Sequence, residues 1–286
     1  MNAPIERIYV VAATKKPRVQ EALDRFLPWI RERAEVYIEI EDGETSFRAV
    51  PSGTDCALVF GGDGTMLIAA RHFAPLDIPV FGINLGKFGF LTQATTDEAF
   101  GSLEKLFEGR YEIAERMMIS CALRRDGSVI HCTPALNDAV ISRTALSRLL
   151  TIDLLIDDRW VNTYRSDGLI VATPVGSTAH SLAASGPILT PEMTAFIICP
   201  ICPHTLSHRP VVISGDTLIR LRPRDYSEQP ALTVDGQIFK PLGNGDVIEI
   251  KKSDRSLRLI KTGERSFFET LREKLGWSGQ ISYVNG

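Results

Sequence analysis

The sequence predicts an α/β domain with a Rossmann-like parallel sheet, then an antiparallel β domain, with a last helix packing back on the first domain. Three observations predict it. Over residues 1–110 short apolar runs alternate with helical patterns, which implies a parallel sheet flanked by helices. Over 111–265 the hydrophobic period is 2, and over 266–286 a helical pattern returns. At residues 58–70, "LVFGGDGTMLIAA" sets three glycines between a buried strand and good helix formers.

In chain order, "IYVVAA" reads as the first strand, "VQEALDRFLPWIRERA" as a helix, and "VYIEI" and "CALVF" as strands. A helix after Thr65, the strand "PVFGIN" and a helix around "DEAFGSLEKLF" complete the first domain. Beyond residue 111, "LTIDLLID", "DTLIRLRPR", "PALTVDGQIF", "DVIEIKK" and "SLRLIK" alternate as half-buried strands. Asp235-Gly236 and Asn244-Gly245 mark turns between them. In "SFFETLREKLGW", Ser266 and Glu269 form a capping box, and Phe267, Phe268, Leu271 and Leu275 share a helix face.

The glycine-rich junction suits phosphate. Gly61, Gly62 and Gly64 can take φ > 0 and let a ligand approach the backbone, with Thr65 at the start of a helix. Asp63 changes the reading. A carboxylate in an anion-accepting loop repels phosphate unless a metal ion intervenes or the carboxylate takes part in chemistry. The stretch therefore points to an enzyme that handles phosphate.

The β half carries a second dense segment, "SDGLIVATPVGSTAHSLAASGPIL", residues 166–189. Pro174 ends a strand there, Gly176 permits a tight turn, and Ser177 or Thr178 is placed to cap a short helix. In "ALNDAVISR", Asn137 and Asp138 precede a strand. Cys199 and Cys202 form a CxxC, but in an apolar, proline-broken run with no second ligand pair, which reads as structural. The five scattered cysteines suit a reducing cytoplasm. A net charge of −3 gives no basic field for nucleic acid, and nothing in the chain reads as membrane-spanning or as a secretory signal. Small molecules are the expected partners.

With "GGDGTML", "GINLGKFGFL", "LNDAVISR", "RSDGLIVATPVGSTAHS", "GPIL", "PHTLSHRP", "VDGQ" and "FFETLREKLGW", the chain resembles the bacterial NAD kinase family from end to end. The first motif alone is shared with lipid kinases and 6-phosphofructokinases, and the long Ser-Asp-Gly segment together with "LNDA" carries the distinction. The resemblance implies phosphoryl transfer from ATP, with magnesium or another divalent metal, to the 2′-hydroxyl of the adenosine ribose of NAD, giving NADP. It implies that Asp63, the catalytic residue, accepts the hydroxyl proton and helps position the metal, with Gly61, Gly62, Gly64 and Thr65 against the phosphates. Asn137 and Asp138 are then expected at the adenosine of NAD. Thr178, Ala179, His180, Ser181, Leu182 and Ala183 are expected around the other nucleoside, beside Arg165 and Asp167. Arg148 and Gln237 are further dinucleotide contacts by the same resemblance, and Phe88 and Phe90 an apolar wall near the ribose. Asp167 would favour the positively charged nicotinamide ring of NAD over NADH. Asp138 and His180 depart from the family, which more often has Glu and Tyr there. Family members are usually homodimers or homotetramers. A lipid kinase and a non-catalytic NAD-binding sensor are the alternative readings; the polar Ser-Asp-Gly segment argues against the first and the intact Asp63 loop against the second.

Overall fold

Strand β1 (Arg7–Ala12) is followed by helix α1 (Pro17–Arg31), β2 (Glu35–Ile40), β3 (Cys56–Phe60), α2 (Asp63–Phe73), β4 (Val80–Asn84), the two-residue β5 (Ala94–Thr95), α3 (Ala99–Phe107) and β6 (Glu112–Arg116). The computed structural model describes residues 2–12, 17–40, 49–86, 89–144, 149–205, 207–224, 229–263 and 265–277. After β6 come β7 (Ile119–Arg125), β8 (Ser128–Ala135), β9 (Asp138–Ser142), β10 (Leu150–Ile156), β11 (Arg159–Ser166), β12 (Gly168–Ala172) and the one-turn α4 (His180–Ala183). Then follow β13 (Ala195–Ile201), β14 (Val211–Ser214), β15 (Ile219–Arg224), β16 (Ala231–Val234), β17 (Ile238–Pro241), β18 (Val247–Lys252), β19 (Leu257–Lys261) and α5 (Phe267–Leu275).

The chain divides into two units, one of residues 1–66, 80–113 and 260–286, the other of 67–79 and 114–259. In the first, β1 pairs in parallel with both β2 and β3, and β3 with β4, in the order β2-β1-β3-β4. The connection through α1 leads from β1 to one side and that through α2 from β3 to the other, so the carboxyl ends of β1 and β3 flank a topological switch point, where open α/β sheets bind ligands. The Asp63 loop leaves the end of β3 there. Strand residues Ile8, Val10, Leu58, Phe60, Phe81 and Ile83 share a core with Val19, Leu23, Phe26 and Ile30 of α1 and Leu103 and Leu106 of α3. The Phe26 ring anchors it, with ring centroids 5.9 Å from Phe60 and 4.7 Å from Phe100.

One strand sits elsewhere than its period suggested. The run 256–261, expected among the antiparallel strands, instead forms β19 between β4 and β6 in the first sheet. Leu257, Leu259 and Ile260 are all buried, which suits a central strand covered on both faces. Helix α5 has its capping box complete in both directions, Ser266 accepting from the Glu269 amide and Glu269 from the Ser266 amide, and ends at Gly276 with φ +65°. Of the four apolar residues expected on one face, Leu271 is buried, whereas Phe268 is 59% exposed. Phe267 packs instead against Phe90, ring centroids 6.1 Å apart.

The second unit is a sandwich of two six-stranded sheets, β11-β10-β15-β18-β7-β8 and β14-β13-β12-β9-β16-β17. Alternate residues from both meet in one core, among them Ile119, Ile152, Leu221 and Ile250 from the first and Ile141, Val171, Phe196 and Leu232 from the second. The second sheet is apolar on its other face as well. There Val140, Ile170, Ala172, Ile197 and Cys199 form a cluster with Leu189, covered by the segment after β12. Cys199 belongs to that cluster, Cys202 is exposed, and both are free thiols.

Candidate active site

Asp63 opens α2, and its carboxylate is fixed rather than free to swing. Oδ2 accepts the Phe90 amide and Oδ1 the Leu91 amide, each at 3.0 Å. Gly89 is what lets that segment come so close: a Cβ on Gly89 would lie 2.1 Å from Asp63 Oδ1. Gly61 is required in the same way, by space and not by backbone sign. None of Gly61, Gly62 and Gly64 takes the φ > 0 open to it. A Cβ on Gly61 would meet Thr65 Oγ1 at 2.5 Å, whereas Gly62 has nothing within 4 Å, an open approach beside the helix start. The helix begins earlier than the sequence suggested, so Thr65 lies within its first turn, its amide bonded to the Gly62 carbonyl at 3.0 Å. Carboxylate and helix N-terminus together form a site that holds one anion-repelling group among anion-accepting ones.

In the second unit a pocket of about 360 Å³ is lined by Asn137, Asp138, Val140, Ser142, Ala179, His180, Thr233, Asp235 and Gly236. Its floor is β9: residues 138, 140 and 142 point to one face, with Thr233 of β16 in register beside Val140. Four residue steps from Asp138 to Ser142 give that floor a length of about 14 Å. The turn before β9 is braced by the segment after β12. The Thr173 amide donates to the Asn137 carbonyl at 2.8 Å, and its hydroxyl to the Leu136 carbonyl at 2.5 Å. Gly176 is required by contact, since a Cβ there would lie 2.1 Å from the Asn137 carbonyl oxygen. Ser177 and Thr178 cap nothing. Ser177 donates to the Pro174 carbonyl and accepts the Leu189 amide, closing the segment on itself.

Asp138 is 4% exposed. Burial, helped by the negative charge of Asp235, pushes its carboxyl up to about 7. Protonation exchanges an acceptor lone pair for a donor, so a ligand hydroxyl that donates to this group is held less well as pH falls through about 7, and an acid limb of kcat/KM is expected there. A pH profile of kcat/KM in wild type and in Asp138→Asn checks this; the variant should lose the acid limb.

Of the residues singled out from the sequence, Asn137, Asp138, Ala179 and His180 line this pocket together. Thr178 is partly buried, its hydroxyl donating to the Val175 carbonyl at 3.1 Å. Ser181 is fully buried, with its Oγ where a Cβ on Gly186 would come within 2.2 Å, so it faces the interior. Leu182 is half-buried and Ala183 exposed. Gln237 is exposed in the β16–β17 turn and accepts a bond from Arg71. Asp63, Gly64 and Phe90 belong to the first unit. Arg165 is exposed on β11, and Asp167 pairs with Arg143 at 3.1 Å near the Ser142 end of β9, which offsets part of its charge. Arg148 and Phe88 lie outside the described residues. Sequence reasoning missed Arg71, Thr173, Gly89 and Arg143.

The family model for the ATP-NAD kinase N-terminal domain matches residues 6–111, and that for the C-terminal domain matches 136–262. The chain belongs to the ATP-NAD kinase family. Over 282 residues it is 39% identical to the NAD kinase of Koribacter versatilis, covering 96% of this chain and 99% of that one. It is 44% identical over 232 residues to the NAD kinase of Magnetococcus marinus, covering 81% and 77%. Among solved structures, yeast NADH kinase complexed with NADH superposes with a TM-score of 0.86 at 26% identity, covering 98% of this chain and 90% of that one. An Archaeoglobus fulgidus NAD kinase in complex with ATP superposes with a TM-score of 0.70 at 27% identity, covering 94% and 98%. Both family models thus match this chain, one over the segment that holds the Asp63 loop and the other over the segment that holds the Asn137–Asp138 pocket.

Proposed function

We propose that this NAD kinase transfers the γ-phosphoryl group of ATP to the 2′-hydroxyl of the adenosine ribose of NAD, with Asp63 as proton acceptor and Asn137 and Asp138 as the adenosine ligands. The observation that carries it is the fixed Asp63 carboxylate, each oxygen bonded to one backbone amide and each with a lone pair to spare. In the reaction the ribose oxygen bonds to the γ-phosphorus, the bond from that phosphorus to the β-phosphate oxygen breaks, and ADP leaves. The hydroxyl proton passes to Asp63. A loose transition state asks the protein mainly for position and charge stabilisation, which the anchored carboxylate and the start of α2 supply. Asn137 and Asp138 suit the other end of the task, an amide for an adenine edge and a carboxylate for ribose hydroxyls.

Magnesium or another divalent metal fits as a companion of ATP. Asp63 is a hard oxygen donor, and Mg²⁺ is commonly held by one or two carboxylates plus substrate phosphates. Among the described residues no cluster of three or more His, Cys, Asp or Glu could hold a metal without them. When bound, the ion neutralises charge on the β- and γ-phosphates.

His180, Arg165 and Asp167 are read as contacts of the other nucleoside. The exposed apolar residues Val129, Trp160, Val161, Val211, Val212 and Phe239 all lie on edge strands of the sandwich, which supports assembly of the chain as a homodimer or homotetramer. The free cysteines support a cytoplasmic setting, and among the described residues no helix is long and apolar enough to cross a membrane. The test is incubation with NAD, ATP and magnesium: NADP formed in step with ADP supports the reading, and ATP hydrolysis without NADP contradicts it.

A further inference from the structure

Asp235 stands in the turn between β16 and β17 at φ +51°, where Asp is tolerated better than most residues. Its side chain is fully buried, and it accepts the backbone amide of every residue of the Leu136–Asp138 turn. Oδ1 accepts the Asn137 amide at 2.8 Å and the Asp138 amide at 3.2 Å, while Oδ2 accepts the Leu136 amide at 3.1 Å. The Asp235 amide donates in return to the Asp138 carbonyl at 3.0 Å. Arg71, with a side chain only 9% exposed, pairs with Oδ2 at 3.1 Å and reaches on to the Gln237 side-chain oxygen.

A neutral acceptor could brace a turn. A buried carboxylate beside Asp138 is a costly choice for that purpose, and it calls for Arg71 to offset it. What the charge adds is control over the group it faces. We infer that Asp235, held by Arg71, is a positioning residue of the substrate site: it sets where Asn137 and Asp138 meet the adenosine of NAD and sets the charge state in which Asp138 does so. The inference rests on the reading of that pocket as the adenosine site. Burial pushes the Asp235 carboxyl up, and the three amides and Arg71 hold it back. The groups facing Asp138 are Asp235 from the β16–β17 turn, with Arg71 of α2 behind it, and His180 from α4 across the pocket.

The test is steady-state kinetics of the full chain across the pH range around neutrality, with NAD and ATP each varied. Asp235→Asn removes a charged acceptor and should raise KM for NAD about tenfold or more. It should also move the acid limb of kcat/KM for NAD to lower pH. Arg71→Met keeps the carboxylate and removes its cation, so the same limb should move to higher pH, and Arg71→Lys should restore much of the shift. KM for ATP should stay near wild type throughout. Opposite shifts are something a mere brace does not produce. An acid limb unmoved in both variants, or KM for NAD and ATP rising together, would overturn the inference. If Asp235→Asn does not fold, the two Arg71 variants carry the same test. Asp138→Ala separates the premises: an unchanged KM for NAD there rejects the pocket as the adenosine site, whatever Asp235 does.

Discussion

Asp63→Asn lowers kcat by about 10²- to 10⁴-fold, the usual cost of losing a general base. The substitution is nearly isosteric, so binding of NAD should persist, but it is not silent in the fold. Both carboxylate oxygens accept backbone amides, and an Asn can offer an oxygen to only one of them, turning its own NH₂ toward the other. One buried N–H left unmatched costs about 1–3 kcal/mol. The variant should therefore melt a few degrees lower as well as turn over slowly. Stopped-flow or coupled assays of NADP formation, with thermal melting in parallel, check both parts; a kcat within a factor of a few of wild type would remove Asp63 from the chemistry.

Gly89→Ala should cost nearly as much, from a residue with no side chain of its own. Its Cβ would lie 2.1 Å from Asp63 Oδ1, 2.6 Å from Cγ and 2.8 Å from Oδ2, so the carboxylate must leave its place. Gly89 has no positive φ, so the backbone itself accepts alanine. The added methyl group thus displaces the reacting group while the core stays intact, and misplacement by about 1 Å is enough to cost about 10²-fold. We expect kcat to fall by about that factor, with KM for NAD and the far-ultraviolet spectrum near wild type. A fully active Gly89→Ala would mean that the carboxylate can work from another position.

The contrast between these two sites and the Asp235 cluster shows what a sequence makes legible. The strands of the first unit, the Asp63 loop and the α5 capping box could be read because each depends on neighbours in the chain: period, turn chemistry and residues three apart. The close contacts that particular glycines permit were not legible. Backbone freedom is the local reason for glycine, whereas Gly89, Gly61 and Gly176 are required by atoms that only the folded chain brings near. Strand β19 went to the other sheet because a period of 2 does not say which sheet a strand joins. Arg71 and Asp235 are separated by 164 residues, and Arg71 looks from the sequence like an ordinary basic residue in the last turn of a helix. The setting of Asp167 was hidden for a related reason. Its partner Arg143 stands at the end of a motif already quoted, "LNDAVISR", but the pairing needs the β9–β12 ladder to form.

Turnover falls to Asp63 and recognition of NAD to the Asn137–Asp138 pocket in the proposed reaction, and one measurement separates those roles. Calorimetric titration of NAD into Asp63→Asn and into Asp138→Ala, beside turnover of each, should give a near wild-type Kd with lost turnover in the first variant. In the second, Kd should weaken by about tenfold or more with the Kd for ATP unchanged. Loss of NAD binding in Asp63→Asn, together with retained binding in Asp138→Ala, would contradict the assignment.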